Sequence, residues 1–222
     1  MHVFYVSCYR YASYKTYMLY MKKITCFIAV LLTACFSVLA SAPKKVLDTA
    51  TFATGCFWCT EAKFQQLKGV EKVISGFSGG HVANPSYELV CTGTTGHAEA
   101  CNIIYDPAKI TYDELLAAFF VAHDPTQLNR QGNDVGTQYR SAIFYHDARQ
   151  KQKAQYYITK LNAEKAYKDP IVTQVVPYKA FYKAEDYHQN YFNQNGSQPY
   201  CKYVIQPELE KFKKVFKDKL KQ

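Results

Sequence analysis

The chain has 222 residues, 48% hydrophobic and 20% charged, with a formal charge of +9, which excludes a disordered chain and leaves room for one substantial core. The first 42 residues carry Arg10, Lys15, Lys22 and Lys23 with no acidic group, so the remainder holds only +5, much of it between Lys211 and Lys221. There Leu209, Phe212, Phe216 and Leu220 recur at helical spacing, predicting an amphipathic helix with a solvated lysine face; no aromatic stacking platform marks it as a nucleic-acid surface.

In chain order, the tyrosine-rich stretch from Met1 to Tyr20 fits no targeting pattern and reads as an extension upstream of the true start. Met21-Lys22-Lys23, the apolar run Ile24 to Leu39 and Ala40-Ser41-Ala42 form the three regions of a secretory signal peptide over 21–42. Cleavage is expected after Ala40, since Pro43 disfavours a cut after Ala42. Leu32-Thr33-Ala34-Cys35 also resembles a bacterial lipobox, and a lipidated Cys35 is the one alternative that places the protein on a membrane. The apolar Phe36 to Leu39 that follow argue against it. The expectation is an exported, periplasmic or otherwise extracytoplasmic protein with one domain over 43–222.

Beyond that boundary, Ala50 to Thr54 reads as a strand, Phe57 to Leu67 as a helix stopped by Gly69, and Val70 to Phe77 as a strand ending in Gly79-Gly80, together a βαβ unit. Tyr87 to Cys91 reads as a helical turn and Ala98 to Tyr105 as a strand. Thr111 to His123 reads as a helix opened by a Thr-x-x-Glu capping box. Arg140 to Tyr145 is the next strand, Asp147 to Lys165 a long helix, and Ile171 to Val176 a strand closed by Pro177. The fold class is therefore α/β, a two-layer arrangement of sheet and helices. The polar segments 93–97 and 124–138 are loops, where site residues collect, and residues 190–200 form a flexible approach to Cys201.

Of eight cysteines, Cys8, Cys26 and Cys35 belong to the N-terminal segments, leaving Cys56, Cys59, Cys91, Cys101 and Cys201. An odd number in an exported protein points to at least one reactive thiol. Cys56 stands where a strand hands over to a helix, and the free N–H groups there favour a thiolate. Phe57 and Trp58 give its sulfur an apolar neighbourhood. Cys56 and Cys59 form a Cys-x-x-Cys with three open readings: a thioredoxin-like dithiol, half of a zinc site lacking its second pair of ligands, or one reactive thiol beside an auxiliary one.

Gly55-Cys56-Phe57-Trp58, Gly79-Gly80-His81, Asn84-Pro85-Ser86-Tyr87, Gly96-His97-Ala98-Glu99 and the run Gln131 to Ser141 occur in the order seen in the A-class peptide methionine sulfoxide reductases. Ala184-Glu185-Asp186-Tyr187-His188-Gln189 and Gln198-Pro199-Tyr200-Cys201 also resemble that family, so the similarity spans nearly everything after Ala50. It implies a ferredoxin-like plait with a mixed sheet and a long irregular C-terminal tail. It further implies that Cys56 attacks the sulfoxide sulfur as a thiolate, that Glu99 donates the proton, and that Tyr87, Tyr139 and Asp134 order the oxygen side. Phe57 and Trp58 would hold the S-methyl group, making the site selective for the S epimer. Cys201 would resolve the Cys56 sulfenic acid as a disulfide reduced by a thioredoxin-type donor, with Cys59 an auxiliary thiol of open role. The implied substrate is methionine sulfoxide, free or in proteins, with no metal or organic cofactor, no nucleic-acid partner and a monomeric state.

Taken singly these residues carry less. Among 20 tyrosines, Tyr87 and Tyr139 read as packing residues. Glu99 reads as an exposed strand carboxylate, and His81, His97, His123, His146 and His188 as structural or surface groups. Cys91 and Cys101 read as inert core thiols. Joint order and spacing raise the named set above that background.

Overall fold

The computed structural model describes Met18, Met21 and residues 45–221. Apart from those two methionines, the upstream extension, the signal peptide and the Cys35 lipobox lie outside the described residues. Strand β1 (Asp48–Thr54), helix α1 (Phe57–Phe64), strand β2 (Val70–Ser78), helix α2 (Tyr87–Cys91) and strand β3 (Ala98–Tyr105) come first. Helix α3 (Tyr112–Ala122), the two-residue strands β4 (Arg130–Gln131) and β5 (Asp134–Val135), and strand β6 (Ser141–Tyr145) follow. Helix α4 (Ala148–Ala163), strands β7 (Gln174–Pro177) and β8 (Phe181–Lys183), and helices α5 (Tyr191–Gln194) and α6 (Gln206–Val215) complete the chain.

Among the described residues a six-stranded sheet runs β7-β6-β1-β3-β2-β8. β3 pairs antiparallel with both β1 (Phe52 opposite Cys101) and β2 (Phe77 opposite Glu99), so β1 and β2 are parallel but separated by one strand. The expected βαβ unit is thus split. With β6 antiparallel to β1, the four central strands and helices α1 and α3 form the ferredoxin-like plait. β7 joins β6 in parallel after the α4 crossover, and Pro177, which has no N–H to donate, ends it at the sheet edge.

The period-two alternation of strands sorts side chains between two layers. Phe52 of β1 and Cys101, Ile103 and Tyr105 of β3 join α1, α3 and α6 in the main core, where Phe52 lies 5.0 Å from Phe119 and 5.8 Å from Phe64 between ring centroids. Ala53, Ala98, Ala100, Ala142 and Phe144 form the other layer. Each fully buried phenylalanine contributes roughly 1.5–3 kcal/mol. The capping box of α3 forms as expected: Glu114 N–H donates to Thr111 Oγ1 at 3.2 Å and Thr111 N–H donates to Glu114 Oε2 at 2.8 Å.

Three boundaries differ from expectation, the first because the last turn tightens locally and the other two because distant groups claim the backbone. α1 stops at Phe64, since Gln66 and Leu67 donate to carbonyls three residues back, and Gly69 takes φ +88°. Residues 171–173 stay outside the sheet: Ile171 N–H goes to Asn162 Oδ1 and Val172 N–H to the Pro125 carbonyl. The C-terminal helix ends at Val215, and the following chain is clamped to the turn after α1, Lys68 N–H donating to the Lys219 carbonyl and Lys221 N–H to that of Gln66. The segment after β8 adds no strand to the sheet. Its approach to Cys201 is tied down by Gln198 N–H to the Asn195 carbonyl and Lys202 N–H to that of Gln198, and Cys201–Ile205 is a π-helical turn running into α6.

Candidate active site

The site is built at the start of α1. Gly55 turns the chain from β1 with φ +94°, and a Cβ there would lie 2.6 Å from Gln131 Cβ, so only glycine fits under that loop. Cys56 is the N-cap with φ −60° and ψ 126°. Its carbonyl accepts from Thr60 N–H at 3.2 Å and Thr60 Oγ1 at 3.1 Å.

Because Ala98 and Ala100 face the alanine layer, Glu99 between them faces the helices. Its Oε2 accepts the Phe57 N–H at 3.0 Å, one residue from the Cys56 sulfur. Glu99 is 1% exposed, not the solvated strand carboxylate that its type suggests. Burial pushes its pKa up to about 8, the Phe57 N–H pulls it back, and the Asp134 charge raises it further. It therefore holds its proton at neutral pH.

Cys56 corrects one expectation. Burial, the Cys59 thiol and the Glu99 charge together push its thiol well above the ordinary range, and the Cys59 N–H only partly offsets them. The helix terminus favours the thiolate, but desolvating a charged sulfur outweighs it, so the resting group is a thiol. Tyr87, at the first position of α2, and Tyr139, in the short 3₁₀ turn Thr137–Tyr139, are both pushed up by burial and then by the Glu99 charge. Both phenols stay protonated and able to donate.

Phe57 is 1% exposed and stacks on Tyr87, centroids 6.1 Å apart at 21°. Trp58 stacks on Tyr191 at 3.7 Å and 6°, and its Nε1–H donates to His188 Nδ1 at 3.1 Å. His188 is 1% exposed, and burial lowers its pKa, keeping it neutral, so its proton sits on Nε2, which lies 4.0 Å from Glu185 Oε2. Glu185 Oε1 accepts the Tyr87 N–H at 2.9 Å. Asp134, on β5, accepts the Tyr200 O–H at 2.6 Å, and Tyr200 stands edge-on to Trp58 at 5.9 Å.

Cys56, Glu99, Phe57, Trp58, Tyr87, Tyr139 and Asp134 are thus brought together from five segments. Cys201 is 0% exposed in the core, and its neighbouring thiol is Cys59. None of the five described cysteines is in a disulfide. Cys101 is buried in the core as expected, whereas Cys91, the last residue of the short surface helix α2, is exposed. Among the described residues no group of three or more His, Cys, Asp or Glu is placed to hold a metal ion. A cavity of about 310 Å³ opens beside Cys56 and Cys59, walled by Gln131, Asp134, Tyr200 and Tyr203.

The sequence pattern gives no role to Tyr191 or Tyr200 and reads His188 as a structural or surface group. His188 lay inside a quoted motif and Tyr200 stood beside Cys201. Tyr191 carried no signal, because its contact with Trp58 spans more than half the chain.

Residues 48–220 match the family model described as peptide methionine sulfoxide reductase. The chain is 54% identical over 173 residues to the peptide methionine sulfoxide reductase MsrA of Haloquadratum walsbyi, covering 78% of this chain and 98% of that relative. It is 55% identical over 173 residues to that of Sulfolobus acidocaldarius, covering 78% and 97%. Among solved structures, Mxr1 from Saccharomyces cerevisiae in reduced form gives a TM-score of 0.66 at 34% identity, covering 74% of this chain and 94% of that one. Methionine sulfoxide reductase A of Corynebacterium diphtheriae gives 0.62 at 38%, covering 72% and 80%.

Proposed function

The chain belongs to the peptide methionine sulfoxide reductase family, and from that membership and the site geometry we infer that Cys56 is the nucleophile of its oxygen transfer. The protein is a peptide-methionine (S)-S-oxide reductase, returning methionine sulfoxide to methionine at the expense of thiols. The observation that carries the residue assignment is the buried, protonated Glu99 bonded at 3.0 Å to the N–H of the residue after Cys56. An acid held there delivers its proton to a sulfoxide oxygen while the adjacent sulfur attacks.

In this mechanism the sulfoxide oxygen accepts hydrogen bonds from Glu99, Tyr87 and Tyr139. Cys56 attacks the substrate sulfur as its own proton departs, and the Glu99 proton passes to the oxygen. The hydroxyl passes from the substrate sulfur to the Cys56 sulfur as the transient bond between the two sulfurs breaks, so methionine leaves, Cys56 becomes a sulfenic acid, and the proton released by the thiol restores Glu99. Phe57 and Trp58 hold the S-methyl group opposite the oxygen. One polar and one apolar wall fix the S epimer. The sulfenic acid condenses with a second thiol, and the oxidising equivalents leave through Cys201 to a thioredoxin-type dithiol. Asp134 orders the polar side through Tyr200.

The signal-peptide pattern supports export and a mature start near Ser41, which N-terminal sequencing of the secreted protein checks; a blocked, lipidated Cys35 contradicts it. For the nucleophile, reduced protein mixed with the S-sulfoxide of N-acetylmethionine, without reductant, is expected to yield at least one methionine product per chain. Cys56→Ser is expected to yield none. Product from Cys56→Ser removes Cys56 from the mechanism.

A further inference from the structure

Cys59 and Cys201 are the two candidate resolving thiols, and the structure distinguishes them. Cys59 lies three residues along α1, and its thiol raises the Cys56 pKa while its N–H lowers it, which places both against that sulfur. The two cysteines line the same cavity, and Cys201 does not. Cys201 is 0% exposed, and it is Cys59, not Cys56, that it neighbours. The residue reaching the site from that segment is Tyr200, whose oxygen is bonded to Asp134 at 2.6 Å and lies 4.0 Å from the Cys59 sulfur.

Cys201 follows Tyr200, which is bonded to Asp134, and opens the π-helical turn, so its backbone is held on both sides. Attack by Cys59 requires a side-chain rotation. Residues three apart on a helix have Cβ atoms about 5–6 Å apart, somewhat wider than the roughly 3.5–4.5 Å of a disulfide. Cys56, with ψ 126°, is outside the helix and supplies the slack.

Resting on Cys56 as the nucleophile, we propose that Cys59 is the first resolving thiol and Cys201 the second, in a relay through the sulfur of Cys59. In the first step Cys59 attacks the Cys56 sulfenic acid; the Cys56–Cys59 S–S bond forms and the S–O bond breaks. The hydroxyl leaves as water with the Cys59 proton. In the second step Cys201, giving up its proton, attacks the Cys59 sulfur; the Cys59–Cys201 bond forms and Cys56 departs with its electron pair. Protonated again, Cys56 is a reduced nucleophile before any external reductant arrives. The enzyme thus turns over a second substrate on the reducing equivalents of its own thiols, and the donor dithiol meets Cys59–Cys201.

The test mixes reduced full-length protein with excess S-sulfoxide and no reductant, quenches with an alkylating agent over time, and maps disulfides by mass spectrometry with a dimedone trap for sulfenic acid. The wild type is expected to show Cys56–Cys59 first, then Cys59–Cys201, with two methionine products per chain. Cys201→Ser is expected to stop at Cys56–Cys59, free of dimedone adduct. Cys59→Ser, and Cys59→Ala as a second variant, are expected to release one methionine product and leave Cys56 dimedone-reactive for at least about tenfold longer. That one product certifies an intact fold. A Cys59→Ser protein that forms Cys56–Cys201 at the wild-type rate overturns the relay while leaving the nucleophile assignment standing. No product from the wild type overturns the nucleophile assignment itself.

Discussion

Replacing Glu99 by glutamine removes an ionisable proton while preserving shape and an acceptor for the Phe57 N–H. The carboxyl has an ordinary pKa of 4.5 and is held up to about 8 in the fold. Between those values the native protein binds a proton that the unfolded chain has released. Stability from this group is therefore complete below pH 4.5 and is lost as pH rises toward 8. The slope is about 1.4 kcal/mol per pH unit, so roughly 3–5 kcal/mol disappears across the window. His123, buried and held down to about 3 by desolvation, has the opposite sign, losing stability as pH falls from 6.5. Its contribution cancels in the difference between wild type and Glu99→Gln. Urea denaturation at pH 5, 6, 7 and 8 should show that difference growing in favour of the variant by several kcal/mol at the alkaline end. In single-turnover assays the variant should lose about 10²–10⁴ in oxygen-transfer rate. The wild-type rate should fall above about pH 8, where Glu99 loses its proton. A pH-independent stability difference, or a variant transferring oxygen at the wild-type rate, refutes both the raised pKa and the role built on it.

Gly55→Ala introduces a side chain at φ +94° whose Cβ meets Gln131 Cβ at 2.6 Å; a loss of about 2–4 kcal/mol in urea melts and slower oxygen transfer are expected. The Lys63–Glu208 pair is asymmetric, the lysine side chain 3% exposed and the glutamate 36%. Glu208→Gln, which leaves the buried Lys63 charge with the Ala122 carbonyl but no counter-charge, should therefore cost more than Lys63→Met, which leaves a carboxylate that water can reach, with about 1–3 kcal/mol expected for the latter. Trp58→Ala removes the ring stacked on Tyr191 and should raise KM for the sulfoxide by about tenfold or more, a loss of apolar contact. Unchanged KM would take the methyl group away from this wall.

Local chemistry made much of the fold legible. The β3 strand and the α3 helix announced themselves by apolar periodicity and by Thr111 and Glu114, whose bonds close within four residues. Pairing order was less visible, since inserting β3 between β1 and β2 satisfies the same hydrophobic pattern as a simple βαβ unit. The protonation of Cys56 is not legible locally, because the helix terminus is a local signal, whereas desolvation is imposed by residues far away in the chain. The same holds for Glu99, whose burial no neighbour in sequence reveals. Tyr191 and Tyr200 sit on Trp58 and Asp134 across 133 and 66 residues, distances over which periodicity carries no information.

The claim that Cys56, Glu99 and the aromatic wall form one epimer-selective oxygen-transfer site is tested most directly by turnover of separated S and R methionine sulfoxides with dithiothreitol as reductant. Turnover of the S epimer alone, abolished by Cys56→Ser, is the expected result. Equal turnover of both epimers, or of neither, contradicts it.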